Sequence, residues 1–287
     1  MAAAANDQRR GVVLVAVLWS IALLSALAMA ASTTFRGFAG IVTVDRNRVQ
    51  AEALLSAGVE TAAGIVAASG DAPLIDFETQ LNMAAGSVRA HASDEGGRID
   101  IGKAPLEVLA ALFSFVGAPE AEALAAEVER WRNPRRAELA AAAAAAAPPR
   151  EGTDLQLTDV RQLAGVPGMS PEWVNAVAPL TTVFGNETVN PLTAPAQVVA
   201  ALPGVSRTAL AAFLEQRRRT PTDADRLVQF LGPANRYVSA KPTRTISVEV
   251  ATRLAGGYAA AARAIIVILP QDTQPYRVLA WNPLRSP

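Results

Sequence analysis

The longest apolar stretch of the chain lies near its beginning. No charged side chain occurs between Arg10 and Arg36, and the residues from Gly11 to Ala31 are almost all apolar. At a rise of about 1.5 Å per residue, this run forms a helix of roughly 30 Å, the thickness of the hydrocarbon core of a bilayer. Because lipid offers no hydrogen-bond partners, the run is predicted to be a membrane-spanning helix. The arginines before it favour a cytoplasmic N-terminus and an exported remainder.

Three interpretations of this stretch compete. A secretory signal peptide has a small-residue cleavage site at Ala28-Met29-Ala30, but the apolar run is longer than the usual h-region of about 7–15 residues. A plain membrane anchor keeps the whole segment. A prepilin-type leader is cut between Gly11 and Val12, so the apolar helix stays in the mature protein and Ala16 is its fifth residue.

Helical spacing continues after the membrane segment. Apolar residues recur at steps of four, three and four at Leu55, Val59, Ala62 and Val66. A Gly-containing stop with a following Pro ends the pattern near residue 69. We therefore predict one helix over residues 12–68, bent near residues 37–40, with its first half in lipid and its second half packed on a domain. Two helices joined by a linker are the alternative.

Alternating apolar and polar residues predict a small antiparallel sheet. Residues 87–92 and 98–101 flank Gly96-Gly97 and predict a hairpin. In the tail, strands are predicted at 246–251, 264–269 and 276–281, with a turn at 254–258. About five strands are enough to pack on the N-terminal helix. The predicted fold class is α+β: a long N-terminal membrane and packing helix on a small antiparallel sheet, with a large all-α insertion.

The region between these strands contains an internal repeat. Residues 104–112 match residues 194–202, and each copy is predicted to be a helix with Pro in its first turn. Thr193 is a predicted N-cap of the second copy, whereas Lys103 holds the equivalent place in the first. The alanine run at 140–147 is predicted to be a surface loop or spacer, and it is the best candidate for disorder.

Two Pro-Gly turns follow, at Pro167-Gly168 and Pro203-Gly204. In both, a helix is predicted to end, Pro-Gly to form a tight turn, and a Ser to cap the next helix. This is a helix-hairpin-helix pattern, which in DNA-binding proteins holds a phosphate on backbone N–H groups. The first turn has no basic neighbour, and the second is followed by the cluster 217–219. We favour a structural use, with membrane-anchored DNA binding and uptake as the alternative.

Composition removes several kinds of chemistry. The net charge is +0, so the whole molecule is not steered toward nucleic acid. The chain has no Cys and a single His, His91, which excludes thiolate sites and multi-His metal sites. Asp94 and Glu95 beside Gly96-Gly97 are candidate carboxylates for metal binding or catalysis, but we favour turn formers. The chain is predicted not to be an enzyme.

This order of segments resembles the minor pseudopilin K family of the type II secretion system. The likeness rests on Gly11 with Leu18-Trp19, Asp94-Glu95-Gly96-Gly97-Arg98-Ile99-Asp100, Lys103-Ala104-Pro105, Trp131-Arg132, Val166-Pro167-Gly168-Met169, Thr193-Ala194-Pro195, Leu202-Pro203-Gly204, and Tyr276-Arg277-Val278-Leu279 with Trp281. Major pilin-like subunits carry Glu at the fifth mature position, where this chain has Ala16. On this resemblance the chain divides into a leader (1–11), a transmembrane part (12–35), the pseudopilin helix and first strands (36–103), a helical insertion (104–242) and C-terminal strands (243–287).

The resemblance also implies a function. It implies a subunit at the tip of a periplasmic pseudopilus, anchored in the inner membrane by one span and assembled with minor pseudopilins I and J. A prepilin peptidase that cuts and methylates the N-terminus, and the inner-membrane secretion platform, are the other implied partners. The family can bind calcium through acidic loops. The segment after Trp131-Arg132 reads Asn133-Pro134-Arg135-Arg136 here, so no calcium ligands are assigned.

Overall fold

The computed structural model describes residues 2–70, 72, 74, 76–133, 157–241, 243–269 and 272–284, and for residues 2–14 and 33–40 only the helical backbone. Its helices are α1 (Ala2–Ala68), α2 (Leu106–Phe115), α3 (Ala121–Arg132), α4 (Pro171–Val177), α5 (Ala196–Ala200), α6 (Arg207–Arg219) and α7 (Ala224–Val228). Its strands are β1 (Phe77–Met83), β2 (Gly86–Asp94), β3 (Ile99–Asp100), β4 (Thr181–Thr182), β5 (Thr245–Leu254), β6 (Ala259–Ile268) and β7 (Tyr276–Leu284). Short 3₁₀ segments lie at Glu95–Gly97, Val160–Gly165, Ala178–Leu180 and Gln229–Tyr237.

The N-terminal helix is continuous. Helix α1 begins at Ala2, ahead of the predicted start at Val12, and ends at Ala68 as the Gly-containing stop predicts. It runs without a break through residues 37–40, so the alternative of two helices and a linker is wrong. The bend near residues 37–40 stays a prediction.

A five-stranded antiparallel sheet packs against the second half of α1. The strand order is β1-β2-β5-β6-β7, and one face of the sheet contributes to a buried core with the helix. That core includes Leu54, Leu55, Val59, Ala62, Val88, Val250 and Ile266. The predicted class is confirmed, and β5, β6 and β7 lie where the tail pattern places them. The sheet has five strands, but β1 replaces the strand that was predicted at 98–101.

The predicted hairpin around Gly96-Gly97 is wrong. Strand β2 pairs with β1 on one edge and with β5 on the other, so neither edge is free for residues 98–101. The side chain of Asp94 instead accepts a hydrogen bond from the Gly96 N–H and caps the 3₁₀ turn at Glu95–Gly97. The chain then leaves the sheet, and β3 pairs in parallel with β4.

The helical region lies between β2 and β5, which are adjacent in the sheet, and it has a core of its own. That second core includes Ile99, Leu109, Phe113, Leu163, Phe213 and Leu231, all almost fully buried. The helices are therefore an insertion between neighbouring strands, although the exact limits at 104 and 242 stay a prediction. The alanine run at 140–147 lies outside the described residues.

The internal repeat extends upstream of its two helices. Asp100 and Asn190 begin equivalent loops, in which the side-chain Oδ1 accepts the N–H two residues later, at 2.7 and 3.1 Å. The backbone C=O of each also accepts an N–H four residues later, from Ala104 at 2.8 Å and from Ala194 at 2.9 Å. Each loop leads into a helix that begins directly after a Pro.

The N-cap predicted at Thr193 is wrong. Pro195 occupies the N-cap position of α5 and has no side-chain cap hydrogen bond. The Thr193 hydroxyl donates to the Asp94 carboxylate, 99 residues earlier in the chain. The Thr193 hydroxyl thus binds the buried Asp94 carboxylate, which is distant in the sequence, and does not cap α5.

Candidate functional site

The first half of α1 is an exposed apolar surface. The segment Val15–Ser32 is long and apolar enough to cross a membrane, and none of it is buried. Trp19, Leu23 and Met29 are each at least 70% exposed. Such a surface marks contact with lipid or with other apolar helices. This segment is the first element of the candidate site.

Three residues of the predicted processing and assembly site lie on this helix. Gly11 and Val12 have helical backbones, and their side chains lie outside the described part of the chain. Ala16 is exposed, and its C=O accepts a hydrogen bond from the Ser20 hydroxyl at 2.8 Å. Position 16 therefore presents a methyl group, and not a carboxylate, on the apolar surface of this helix. Cleavage at Gly11 stays a prediction.

The apolar surface continues beyond the membrane segment. Ile41, Val42, Val44 and Val49 are each at least 60% exposed. A second stretch of α1, Ile41–Ala68, also passes the test of length and apolarity for a membrane span, but 39% of it is buried. It packs on the sheet, so it is the packing half of the helix.

A buried carboxylate joins the sheet to the insertion. Asp94 lies at the end of β2, and its Oδ1 accepts hydrogen bonds from the Gly96 N–H at 2.9 Å and the Thr243 hydroxyl at 3.0 Å. Its Oδ2 accepts from the Asn190 amide at 3.0 Å and the Thr193 hydroxyl at 2.8 Å. The donors come from the 3₁₀ turn, the second repeat unit and the approach to β5, so one side chain connects the two cores.

The neighbouring backbone is close enough to require glycine. A Cβ at Gly97 would lie 2.9 Å from the carbonyl carbon of Thr193, a distance that a packed structure does not accept. Glu95, only 2% exposed, pairs with the Arg98 guanidinium at 3.1 Å. The turn role preferred for Asp94 and Glu95 is confirmed at Asp94 by its cap geometry. Its partners at 190, 193 and 243 carried no local sequence signal, because they lie about 100 to 150 residues away.

A second buried carboxylate lies at the start of the first repeat unit. Asp100 is 1% exposed, and its Oδ2 accepts no hydrogen bond. The Lys103 ammonium lies 3.4 Å from that oxygen and donates to the Gly185 C=O at 2.6 Å. Burial raises the pKa of the Asp100 carboxyl above its ordinary value, and the charge of Lys103 opposes this only in part.

The two Pro-Gly turns have the predicted local geometry. Gly168 and Gly204 have φ values of +79° and +77°, which residues with a Cβ rarely adopt. Ser170 and Ser206 cap the helices that follow, each accepting a hydrogen bond from a backbone N–H three residues later. The serine caps are therefore confirmed, and the structural role of Pro167 and Pro203 in a helix-hairpin-helix unit stays a prediction.

The basic cluster after the second turn is engaged within the protein. Arg217 donates to the Ala194 C=O at 2.5 Å. Arg218 and Arg219 both pair with Glu215, at 2.6 and 3.0 Å. Guanidinium groups that already have partners are poorly placed to neutralise phosphates. The geometry favours a structural use of this cluster.

Within the described residues, no three His, Asp or Glu side chains form a group that could hold a metal ion. His91 is exposed on β2. The calcium binding implied by the family concerns acidic loops, and the chain following Asn133 lies outside the described residues as far as 156.

Comparison with known proteins agrees with this picture. Residues 81–186 match the family described as type II secretion system (T2SS), protein K. The fold resembles a chain in the crystal structure of the GspK-GspI-GspJ complex from the enterotoxigenic Escherichia coli type 2 secretion system. The identity is 14%, the TM-score is 0.61, and the match covers 85% of this chain and 99% of that one. No curated protein matches the sequence.

The matched family and the shared fold define the class of protein. Together they support a minor pseudopilin role in the type II secretion system. The family model that matches residues 81–186 is that of protein K, and that family is a structural component of the secretion machinery.

Proposed function

We propose that this chain is a minor pseudopilin of the type II secretion system that is the first subunit of the pseudopilus, lies at its tip and helps to start its assembly. Its role is structural rather than enzymatic. Ala16 carries this proposal, because it stands where the shaft subunits of pilin-like filaments carry Glu. The mature chain begins at Val12, after a prepilin peptidase has removed residues 1–11 and methylated the new amine.

The charge at the fifth mature position determines which neighbours a subunit needs. A carboxylate within an apolar helix is costly without a partner. In a filament its partner is the N-terminal amine of the subunit above, assisted by the positive end of that helix's dipole. Ala16 has no charge to neutralise, so it places no demand on a subunit above. The Val12 amine is still available to the subunit below.

The size of the insertion supports the same position. The helices lie between β2 and β5 and have a separate buried core. A unit of this size would crowd any subunit stacked over it. A shaft subunit needs contacts on both sides, whereas a tip subunit needs them only below.

The partners follow from the relative of known structure. The matched chain comes from a GspK-GspI-GspJ complex, and we propose that this chain assembles with minor pseudopilins of types I and J. The apolar segment Val15–Ser32 anchors it in the inner membrane before assembly, with the N-terminus in the cytoplasm and the remainder in the periplasm. The inner-membrane platform then receives the assembled tip.

Localisation tests this proposal. Immunogold labelling of pseudopili should place the protein at one end of each filament, and deletion should abolish secretion and change pseudopilus number or length. The substitution Ala16→Glu should lower the efficiency of initiation, because it adds an unpaired carboxylate at the tip. Label spaced along the shaft would refute tip placement.

A further inference from the structure

The two edges of the five-stranded sheet differ in their backbones. The β7 edge is interrupted, because the pairing of β6 with β7 shifts register between Ile265 and Ile266 and because Pro283 lies within β7. Bulges and prolines keep a sheet edge from pairing with another chain. Strand β1 has neither, and it pairs with β2 in one unbroken register from Phe77 to Met83. The β1 edge is thus the one that is open to an added strand.

The turn of the β1–β2 hairpin determines which backbone groups of β1 are free. Residues 84–85 form a two-residue turn, so the two residues that flank it are a hydrogen-bonded pair. Pairing alternates along an antiparallel ladder, and the N–H and C=O groups of Glu78, Gln80 and Asn82 therefore point away from β2. Within the described residues, β1 pairs with no strand other than β2, so these groups are available to a partner.

The side chains of β1 leave this edge accessible. Phe77 and Leu81 pack against the core that the sheet forms with α1. Glu78, the charged residue of β1, is paired with Arg89 of β2 at 2.9 Å. Apart from Met83, the exposed side chains of β1 are polar. The edge therefore offers a partner backbone hydrogen bonds, without an unpaired charge and without an apolar surface on which a helix could pack.

A groove of about 560 Å³ begins at Asp76, the residue before β1. Its apolar walls include Leu192, Leu214 and Pro221 of the insertion. Because Asp76 directly precedes β1, a strand that pairs with β1 ends beside this groove, and the apolar walls can receive one of its side chains. In strand addition, backbone hydrogen bonds supply affinity and pockets of this kind supply specificity.

Other occupants fit this edge less well. A second copy of this chain that pairs antiparallel with β1 would be rotated by half a turn in the plane of the sheet, so its α1 would point away from the shared membrane. Lasting interfaces are more hydrophobic than transient ones, and the exposed apolar side chains of α1, such as Ile41 and Val42, suit lasting contacts within the filament. A polar edge of seven residues suits a partner that binds briefly and is released.

We propose that the β1 edge binds an extended segment of a protein that is being exported, which adds to the sheet as a sixth strand. Backbone hydrogen bonds depend little on side chains, so one edge can bind exported proteins of different sequence. The proposal rests on the proposed function, because a subunit at the tip of a secretion filament is placed to contact the exported protein. It adds the surface that makes this contact and the extended form of the segment that binds there.

Site-specific photocrosslinking of the full chain in secreting cells tests this proposal. Benzoylphenylalanine replaces Met83 on the β1 edge or, as a matched control of similar exposure, Leu284 on the β7 edge (44% and 38% exposed). The probe is an epitope-tagged protein that the same cells export. We expect the crosslinking yield to this protein to be at least fivefold higher from position 83 than from position 284.

Removal of one backbone donor provides a second measurement. Gln80→Pro deletes an N–H that points away from β2, so the bonds between β1 and β2 stay, whereas Gln80→Ala keeps this N–H. The crosslinking yield from position 83 to the exported protein should fall at least fivefold in Gln80→Pro and stay unchanged in Gln80→Ala. Thermal unfolding of both purified variants is the control for folding. An equal yield in the two folded variants would overturn the proposal.

The identity of the crosslinked protein separates the remaining outcomes. Crosslinks from position 83 to a pseudopilin or to a second copy of this chain, with none to the exported protein, would overturn this proposal alone. Equal yields of the exported protein from positions 83 and 284 would do the same. Leu23 in the membrane segment serves as a reference position for assembly. Absence of pseudopilin crosslinks from position 23 would contradict the proposed function itself, and with it the role of the β1 edge.

Discussion

Single buried polar residues fix the positions of this protein's two cores relative to each other. Asp94 is the clearest case, because its two oxygens accept four hydrogen bonds from three separate segments. A carboxylate can accept at both oxygens, which an amide cannot. Its identity as an acid, and not only its size, is therefore required.

Replacing Asp94 with Asn tests this requirement. The introduced NH₂ group faces two donors, so we expect the free energy of unfolding to fall by about 2–3 kcal/mol. Denaturation of the full chain in detergent measures it, with Asp45→Asn on the exposed face of α1 as the control. A loss below about 0.5 kcal/mol at Asp94 would show that the junction does not depend on its charge.

Asp100 leads to a different prediction, which concerns the pH dependence of the free energy of unfolding. Burial raises its pKa in the folded protein above the ordinary value of 3.8. The folded state therefore holds the proton more tightly than the unfolded state does, so the stability that Asp100 contributes falls as pH rises through the window above 3.8. Asn190 fills the equivalent position in the second unit, which indicates that an amide fits this loop.

The variant Asp100→Asn isolates this contribution. The difference in unfolding free energy between variant and wild type should move in favour of the variant as pH rises from about 4 to 7. Denaturant titrations of both proteins across this range measure it, and the other carboxyls cancel in the difference. A difference that does not vary with pH would contradict the raised pKa.

At the scale of elements, each of the two repeat units has an arginine that makes the same pair of hydrogen bonds. Arg132 at the end of α3 donates to the C=O groups of Ile101 and Ala104, at 2.9 and 2.7 Å. Arg217 near the end of α6 donates to the equivalent C=O groups of Pro191 and Ala194. In each unit, the second helix fixes the loop that leads into the first.

Removing this arginine should destabilise the repeat unit that contains it. Arg132→Met leaves two carbonyl groups without their donor, and we expect a loss of about 2–3 kcal/mol in unfolding free energy. Arg218→Met removes only an exposed ion pair and should cost less than about 0.5 kcal/mol. Hydrogen exchange of the backbone amides of residues 102–104 reports the loop directly, and unchanged protection in Arg132→Met would count against this role.

The elements also show which features local sequence could predict. The end of α1, the Ser170 and Ser206 caps and the three tail strands depend on neighbouring residues, and all were predicted. The pairing of β2 with β5 and the role of Thr193 depend on residues about 100 to 170 positions away, and both predictions were wrong. Strand β1 was missed, although Phe77, Leu81 and the polar residues between them alternate weakly.

The same limit applies to the candidate site. The apolar segment and the acidic turn were predicted from the sequence, because each is a contiguous stretch. The junction at Asp94 could not be predicted, since it combines segments that only the fold brings together.

At the scale of the whole molecule, charge distribution predicts weak affinity for nucleic acid. The net charge is +0, and the arginines at 217–219 have partners within the protein. Duplex DNA titrated into the full chain in detergent should show no binding at micromolar protein, even at low salt. Micromolar binding with a steep salt dependence would support the DNA-uptake alternative.

The central claim is that the chain is a pseudopilin that keeps its apolar helix after processing. Mass spectrometry of the mature protein, purified from membranes of cells that contain the prepilin peptidase, tests this claim most directly. We expect a chain that begins with N-methylated Val12, and an unprocessed precursor in the Gly11→Val variant. A mature chain that begins at Ala31 would show that the helix is a cleaved signal peptide and would contradict the claim.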